Sequence, residues 1–126
     1  MILVFGGAYQ GKLDYAKERF GLSDGEVFSC TEQTMHIDFS KKAIANLEAF
    51  SLACTKRGES ARDYFAARRE EWKDAVLLCA DISAGVVPVD PVFRAWREEN
   101  GRLLAWLCAA SEETVRMFCG LPQRLK

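Results

Sequence analysis

The sequence predicts an α/β domain with a mainly parallel sheet of about four to five strands flanked by helices. Three observations carry this expectation. Short uninterrupted apolar runs stand at Met1–Phe5 and Ala75–Ala80. Amphipathic stretches of helical period lie between and after them. Glycine, proline and aspartate punctuate the joins, with no linker, internal repeat or low-complexity tract. Strands that alternate with helices need crossover connections, and crossovers make neighbouring strands parallel. At 126 residues, 49% of them apolar, the chain is expected to form one domain, 1–126, around a core that needs no staples.

Met1 to Phe5 reads as a buried strand ending at Gly6-Gly7. Residues 11–20 follow as a short helix, with Leu13, Ala16 and Phe20 on one face and Gly21 as its stop. A turn-rich stretch, Gly21 to Gly25, leads into a second strand, Val27 to Cys30. From about Ser40 to Arg57 the pattern predicts a helix, with Ala43, Ile44, Leu47, Phe50 and Cys54 in one stripe before Gly58. Ser60 and Asp63 form a capping pair for a third helix running to about Trp72. Ala75 to Ala80 is the next buried strand, ending at Asp81. Asp90 caps a long helix with Pro91 at its first position, and Phe93, Trp96, Leu103, Trp106, Leu107 and Ala110 are its expected core face. Thr114 to Cys119 is a last strand, followed by Gly120-Leu121-Pro122 and a short tail.

The composition narrows the function. A net charge of −1 argues against a dedicated nucleic-acid binder, which carries a basic excess. Any anion must then be held by a local site. Five cysteines without metal-ligand or C-x-x-C spacing read as free thiols in a reducing, cytoplasmic setting. No apolar run approaches the length of a membrane span, and the N-terminal run is too short for a signal peptide.

The most specific chemistry lies at Gly6-Gly7-Ala8-Tyr9-Gln10-Gly11-Lys12, which fits G-x-x-x-x-G-K between a strand and a helix. Glycines let successive amides turn inward toward an anion, and the helix beginning near Gly11 adds unpaired N–H groups and its positive dipole end. Lys12 supplies a full charge to the outer phosphates. The next residue, Leu13, departs from the pattern, because a hydroxyl there would hold Mg²⁺ and leucine has none. The alternative reading is a glycine-rich turn that binds nothing, with Lys12 solvated.

Read together, the two ends of the chain resemble the adenosylcobinamide kinase / adenosylcobinamide-phosphate guanylyltransferase family of cobalamin biosynthesis. Gly6 to Lys12 is similar to that family's P-loop. Asp81-Ile82-Ser83-Ala84-Gly85-Val86-Val87-Pro88 stands where the family has an acidic residue, glycines and a Val-Pro turn after a buried strand. Arg94, Arg97 and Gly101-Arg102, then Ala109-Ala110, Glu112-Glu113, Val115 to Gly120 and Lys126 follow in the family's order. The likeness covers residues 1–20 and 75–126, while 30–74 does not align.

The resemblance implies a P-loop fold and a homo-oligomer, a trimer. It also implies phosphorylation of cobinamide by ATP or GTP, and GMP transfer through a guanylylated histidine. Carried onto this chain, Gly6 through Leu13 bind the nucleotide, and Lys12 and Asp81 are catalytic. Asp81 would hold Mg²⁺ or accept the proton of an attacking hydroxyl. Its alternative role is a turn carboxylate capping the amides of Ser83 or Ala84. His36, the lone histidine, is the one candidate for guanylylation, but the family's histidine segment is absent around it. Arg94, Arg97 and Arg102 either reach phosphates or pair with Glu98 and Glu99 on a solvated face. Two functions therefore stand: a corrinoid phosphotransferase, or a shortened homologue that binds nucleotide or corrinoid without turnover.

Overall fold

Ile2–Gly6 forms β1, the strand around which the sheet is built. The computed structural model describes residues 1–83, 85 and 87–126; Ala84 and Val86 of the Asp81–Pro88 segment lie outside the described residues. β1 runs parallel to Val76–Ala80 (β4) on one side and to Glu113–Phe118 (β5) on the other, with Gly6 opposite Ala80 and Met117. Val27–Ser29 (β2) and Ala43–Ala45 (β3) extend the sheet beyond β4, both parallel. Leu121–Arg124 (β6) closes the other edge antiparallel to β5. The order is β2-β3-β4-β1-β5-β6, a six-stranded mixed and mostly parallel sheet.

Alternation along β1 splits its side chains between two cores. Leu3 joins Leu77 and Cys79 under Leu47–Arg57 (α2), Ala61–Ala66 (α3), Arg69–Trp72 (α4) and Pro91–Ala110 (α5). Val4 joins Leu78, Val115 and Met117 on the opposite face, where Lys12–Phe20 (α1) packs through Ala16. The α2–α5 layer is aromatic. Phe65 is fully buried, Trp72 meets it edge-on at 5.7 Å, and the Trp72 indole N–H donates to the Phe65 carbonyl at 2.8 Å. Asp90 caps α5 by accepting from the Val92 amide at 2.8 Å.

Four expectations change. The helix predicted from Ser40 starts at Leu47, because Ala43–Ala45 are strand β3 and Asn46, left-handed at φ 59°, breaks the chain between them. Three fully buried residues continue an apolar helical stripe without any period to betray them. The third helix divides into α3 and α4 at Ala67–Arg68. The expected tail is β6, so the sheet has one strand more than the upper expectation. Phe93, expected in the core face of α5, is 43% exposed, and only from Trp96 onward does that face meet the body of the protein.

Candidate functional site

The strand-to-helix turn after β1 sits at the carboxyl edge of the parallel strands, where α/β sheets present ligands. Its shape follows from the glycines. A Cβ on Gly6 would meet the Met117 carbonyl oxygen at 2.4 Å, so no other residue fits where β1 passes β5. Gly11, left-handed at φ 85°, turns the chain into α1 as its N-cap. Between them Tyr9 also stands left-handed, at φ 59°, with its ring wholly in solvent. No side chain caps α1, so the amides of its first turn remain open to an anion.

Lys12 is the first residue of that helix, and its Nζ folds back to donate to the Gly7 carbonyl at 2.7 Å. Burial lowers its pKa, while the negative charge of Glu48 draws it part of the way back. Glu48 is the residue that sequence reasoning missed. Its Oε1 accepts from the Ala80 amide at 2.9 Å, and Ala80 is the register partner of Gly6. Lysine and carboxylate are thus anchored to neighbouring ends of the two central strands. Its signal was an acid in the first turn of the helix that follows a short buried strand, hidden while residues 40–57 read as one helix.

A buried polar network fixes Glu48 from behind. The Trp96 indole N–H donates to the Glu48 carbonyl at 2.8 Å, and Asn100 Nδ2 donates to the Ala80 carbonyl at 2.9 Å. Ser51 Oγ donates to Asn100 Oδ1 at 2.8 Å. Cys79 lies within this network, and burial pushes its thiol well above the ordinary range, so it is no nucleophile.

In front of the loop a cavity of about 390 Å³ is lined by Tyr9 to Asp14 together with Ala45, Asn46 and Leu78. Loop, lysine, first helical turn and the end of β3 meet there. No protein-family model matches the chain, and no curated protein does. The chemistry is read from the residues themselves.

Asp81 stands beside the loop, its amide donating to the Gly6 carbonyl at 2.8 Å. Its Oδ1 accepts from the Ser83 amide at 2.9 Å and from Ser83 Oγ at 2.6 Å, the turn-capping arrangement, while Oδ2 takes no part in those bonds. His36 is exposed in the connection between β2 and β3 and lines neither cavity that borders the loop. Arg94 and Arg97 line a separate pocket with Ser83, and Arg97 donates to the Ser83 carbonyl. Arg102 pairs with Glu98 and Glu99 on the exposed face of α5. The arginines therefore do not converge on the loop.

Mg²⁺ takes oxygen ligands in near-octahedral geometry. Leu13 offers none, Asp81 has one oxygen engaged, and among the described residues no three His, Cys, Asp or Glu side chains converge. Among the described residues these side chains form no all-protein cage for Mg²⁺, and Asp81 Oδ2 is the one carboxylate oxygen beside the loop that Ser83 leaves open. Among the described residues no helix is long and apolar enough to cross a membrane.

Proposed function

We propose that the Gly6–Lys12 loop binds the polyphosphate of ATP or GTP and that the protein transfers the terminal phosphoryl group to a corrinoid acceptor, cobinamide. One observation carries the phosphate part: an ammonium group parked on its own loop's carbonyl, at an uncapped helix N-terminus, facing an open cavity. A polyphosphate would take the Nζ from Gly7 and the first-turn amides of α1 together, exchanging a neutral acceptor for an anionic one. Asp81 would accept the acceptor's hydroxyl proton through Oδ2, the oxygen free of Ser83. The corrinoid rests on the family resemblance of the two ends of the chain. Guanylyl transfer through His36 has no support in its exposed position, and it forms no part of the proposal.

A second reading is favoured by Leu13 and by the poor metal donor set: a module that binds nucleotide or corrinoid without turnover. Thermal unfolding with ATP, GTP and cobinamide, each with Mg²⁺ and with chelator, tests both, since a ligand of the folded state raises its stability by mass action. Stabilisation by a triphosphate together with labelled cobinamide phosphate supports the enzyme. Stabilisation without product supports the module. A melting temperature indifferent to every triphosphate removes the phosphate site itself.

A further inference from the structure

The parallel ladder between β3 and β4 ends at Ile44 and Leu77, short of the last residues of β4. The Ala80 amide lies beyond that ladder, and the Glu48 side chain satisfies it, Oε1 accepting at 2.9 Å. A neutral carbonyl would serve that amide as well. What a carboxylate adds is charge.

The charge stands close to the lysine without touching it. Ala80 is the register partner of Gly6, and the Lys12 ammonium donates to the carbonyl of the next residue, Gly7, at 2.7 Å. The two anchor points thus differ by one residue along the chain and by one strand spacing, about 4.8 Å, across the sheet. Lys12 and Glu48 nevertheless form no ion pair, because each head group is held by a backbone group of its own. The backbone that carries Glu48 is fixed as well, since the Trp96 indole and the Ser51 hydroxyl both donate to its carbonyl, at 2.8 and 2.9 Å.

The other titratable groups around the ammonium do not supply the same field. Cys79, on β4, is kept neutral by burial. Asp81, at the end of β4, is turned to Ser83. Asp14, on the lysine's own helix, is exposed, as are Tyr9 on the loop and Cys119 in the β5–β6 hairpin. Burial opposes the charge of Lys12, and Glu48 offsets part of that cost.

Granting the reading of the loop as a phosphate site, on which this rests, we infer that Glu48 is a positioning residue: its carboxylate, held off by the Ala80 amide, keeps the Lys12 ammonium charged yet uncaptured until a polyphosphate takes it. A direct ion pair would have to break before the lysine reached an anion. With no carboxylate nearby, a half-buried ammonium sheds its proton more easily. A charge held at one remove avoids both.

NMR titration of the Lys12 side chain in the full chain, assigned by comparison with Lys12→Arg, tests the coupling without any ligand. Glu48→Gln keeps an acceptor for Ala80 and removes the charge, so Lys12 should deprotonate at least about half a pH unit lower than in the parent. Glu48→Asp keeps the charge but is one methylene short of the amide. Its Lys12 titration should stay near the parent's although its melting temperature falls. Calorimetry with inorganic tripolyphosphate across the alkaline range should show affinity falling as Lys12 loses its proton, and falling earlier by the same interval in Glu48→Gln. Tyr9, Asp14, Asp81 and Cys119 are common to both proteins, so the difference isolates Glu48. A Lys12 titration or an alkaline limb unmoved in the folded glutamine variant overturns the inference, and so does a titration lowered as far by aspartate as by glutamine. In those cases tripolyphosphate binding by the parent leaves the loop reading standing. A glutamine variant that does not fold gives the carboxylate to the fold and overturns the inference too. If the parent binds no tripolyphosphate, the loop reading fails and the positioning role with it.

Discussion

Replacing Lys12 by alanine separates a binding lysine from a structural one. In the free protein the ammonium has one hydrogen bond, to Gly7, and burial works against its charge. Losing a hydrogen bond of this kind costs about 1 kcal/mol. Relief of the desolvated charge and the better helix propensity of alanine oppose that loss. The net change should stay within about 1 kcal/mol. For a chain of 126 residues the unfolding entropy is roughly 0.26 kcal/mol/K, so the melting temperature should move by no more than about 4 °C. Binding behaves differently. A charge-assisted contact to phosphate is worth about 1.5–3 kcal/mol, a loss of roughly 10- to 150-fold in triphosphate affinity. Calorimetry with GTP and ATP, paired with thermal melts of the ligand-free proteins, reads both quantities. An alanine variant that binds as well as the parent would refute the assignment. So would a variant whose melting temperature falls by 10 °C or more, since the lysine would then serve the fold.

Leu13→Ser should leave metal-free triphosphate affinity near its starting value and make it rise with Mg²⁺, whereas the parent responds little; titrations with metal and with chelator compare them. Gly6→Ala forces a Cβ to within 2.4 Å of the Met117 carbonyl oxygen, while the same change at Gly7 meets nothing nearer than Gln10 Cγ at 3.7 Å. Overpacking of about 1–3 kcal/mol at Gly6 predicts a melting temperature lower by about 4–12 °C, with Gly7→Ala close to the parent. Glu113 is held below the ordinary carboxylate range by its hydrogen bonds from Arg19. A depressed folded pKa gives stability that is present above the unfolded value and lost as pH falls through the folded one. Urea unfolding should therefore show an acid limb below about pH 4 that is shallower in Glu113→Gln.

The sequence made the central parts of this fold legible because each carried a local signal that tertiary contacts did not override. β1 and β4 are uninterrupted apolar runs, α1 ends on Gly21, and α5 opens on Asp90-Pro91. The missed elements lack such signals. Ala43–Ala45 is too short for any period to emerge, and its terminator is a left-handed asparagine in place of glycine. Strand β6 contains Pro122, which argues against a strand except at a sheet edge, and an edge is where it lies. Its hairpin turns through Cys119 and Gly120, at φ 51° and 75°, and a cysteine in the first of those places gives no warning. At the site, the glycines and Lys12 were readable as a spacing. Glu48 was not, because its bond from the Ala80 amide joins α2 to β4, residues 32 positions apart in the chain. Phe93 illustrates the opposite error, a helical period that continues past the end of the surface it would pack against.

The pairing of β1 has a consequence for the order of events in folding. Ile2 pairs with Val76 and with Glu113, so both neighbours of the first strand are contributed by distant parts of the chain. Closing such long loops precedes any reward from the contacts they permit, and topologies of this kind fold slowly. Strands β2 and β3 lie much nearer one another in sequence. On the ribosome, the apolar segment Met1–Phe5 emerges well before Glu113–Phe118 and stays uncovered on that edge until β5 has been made. The Gly6 turn passes directly under Met117, and Gln10 receives its bond from Cys119. The loop therefore acquires its shape only after β5 and Cys119 have been made, and a nascent chain halted before β5 would carry every residue of G-x-x-x-x-G-K without the walls that shape it.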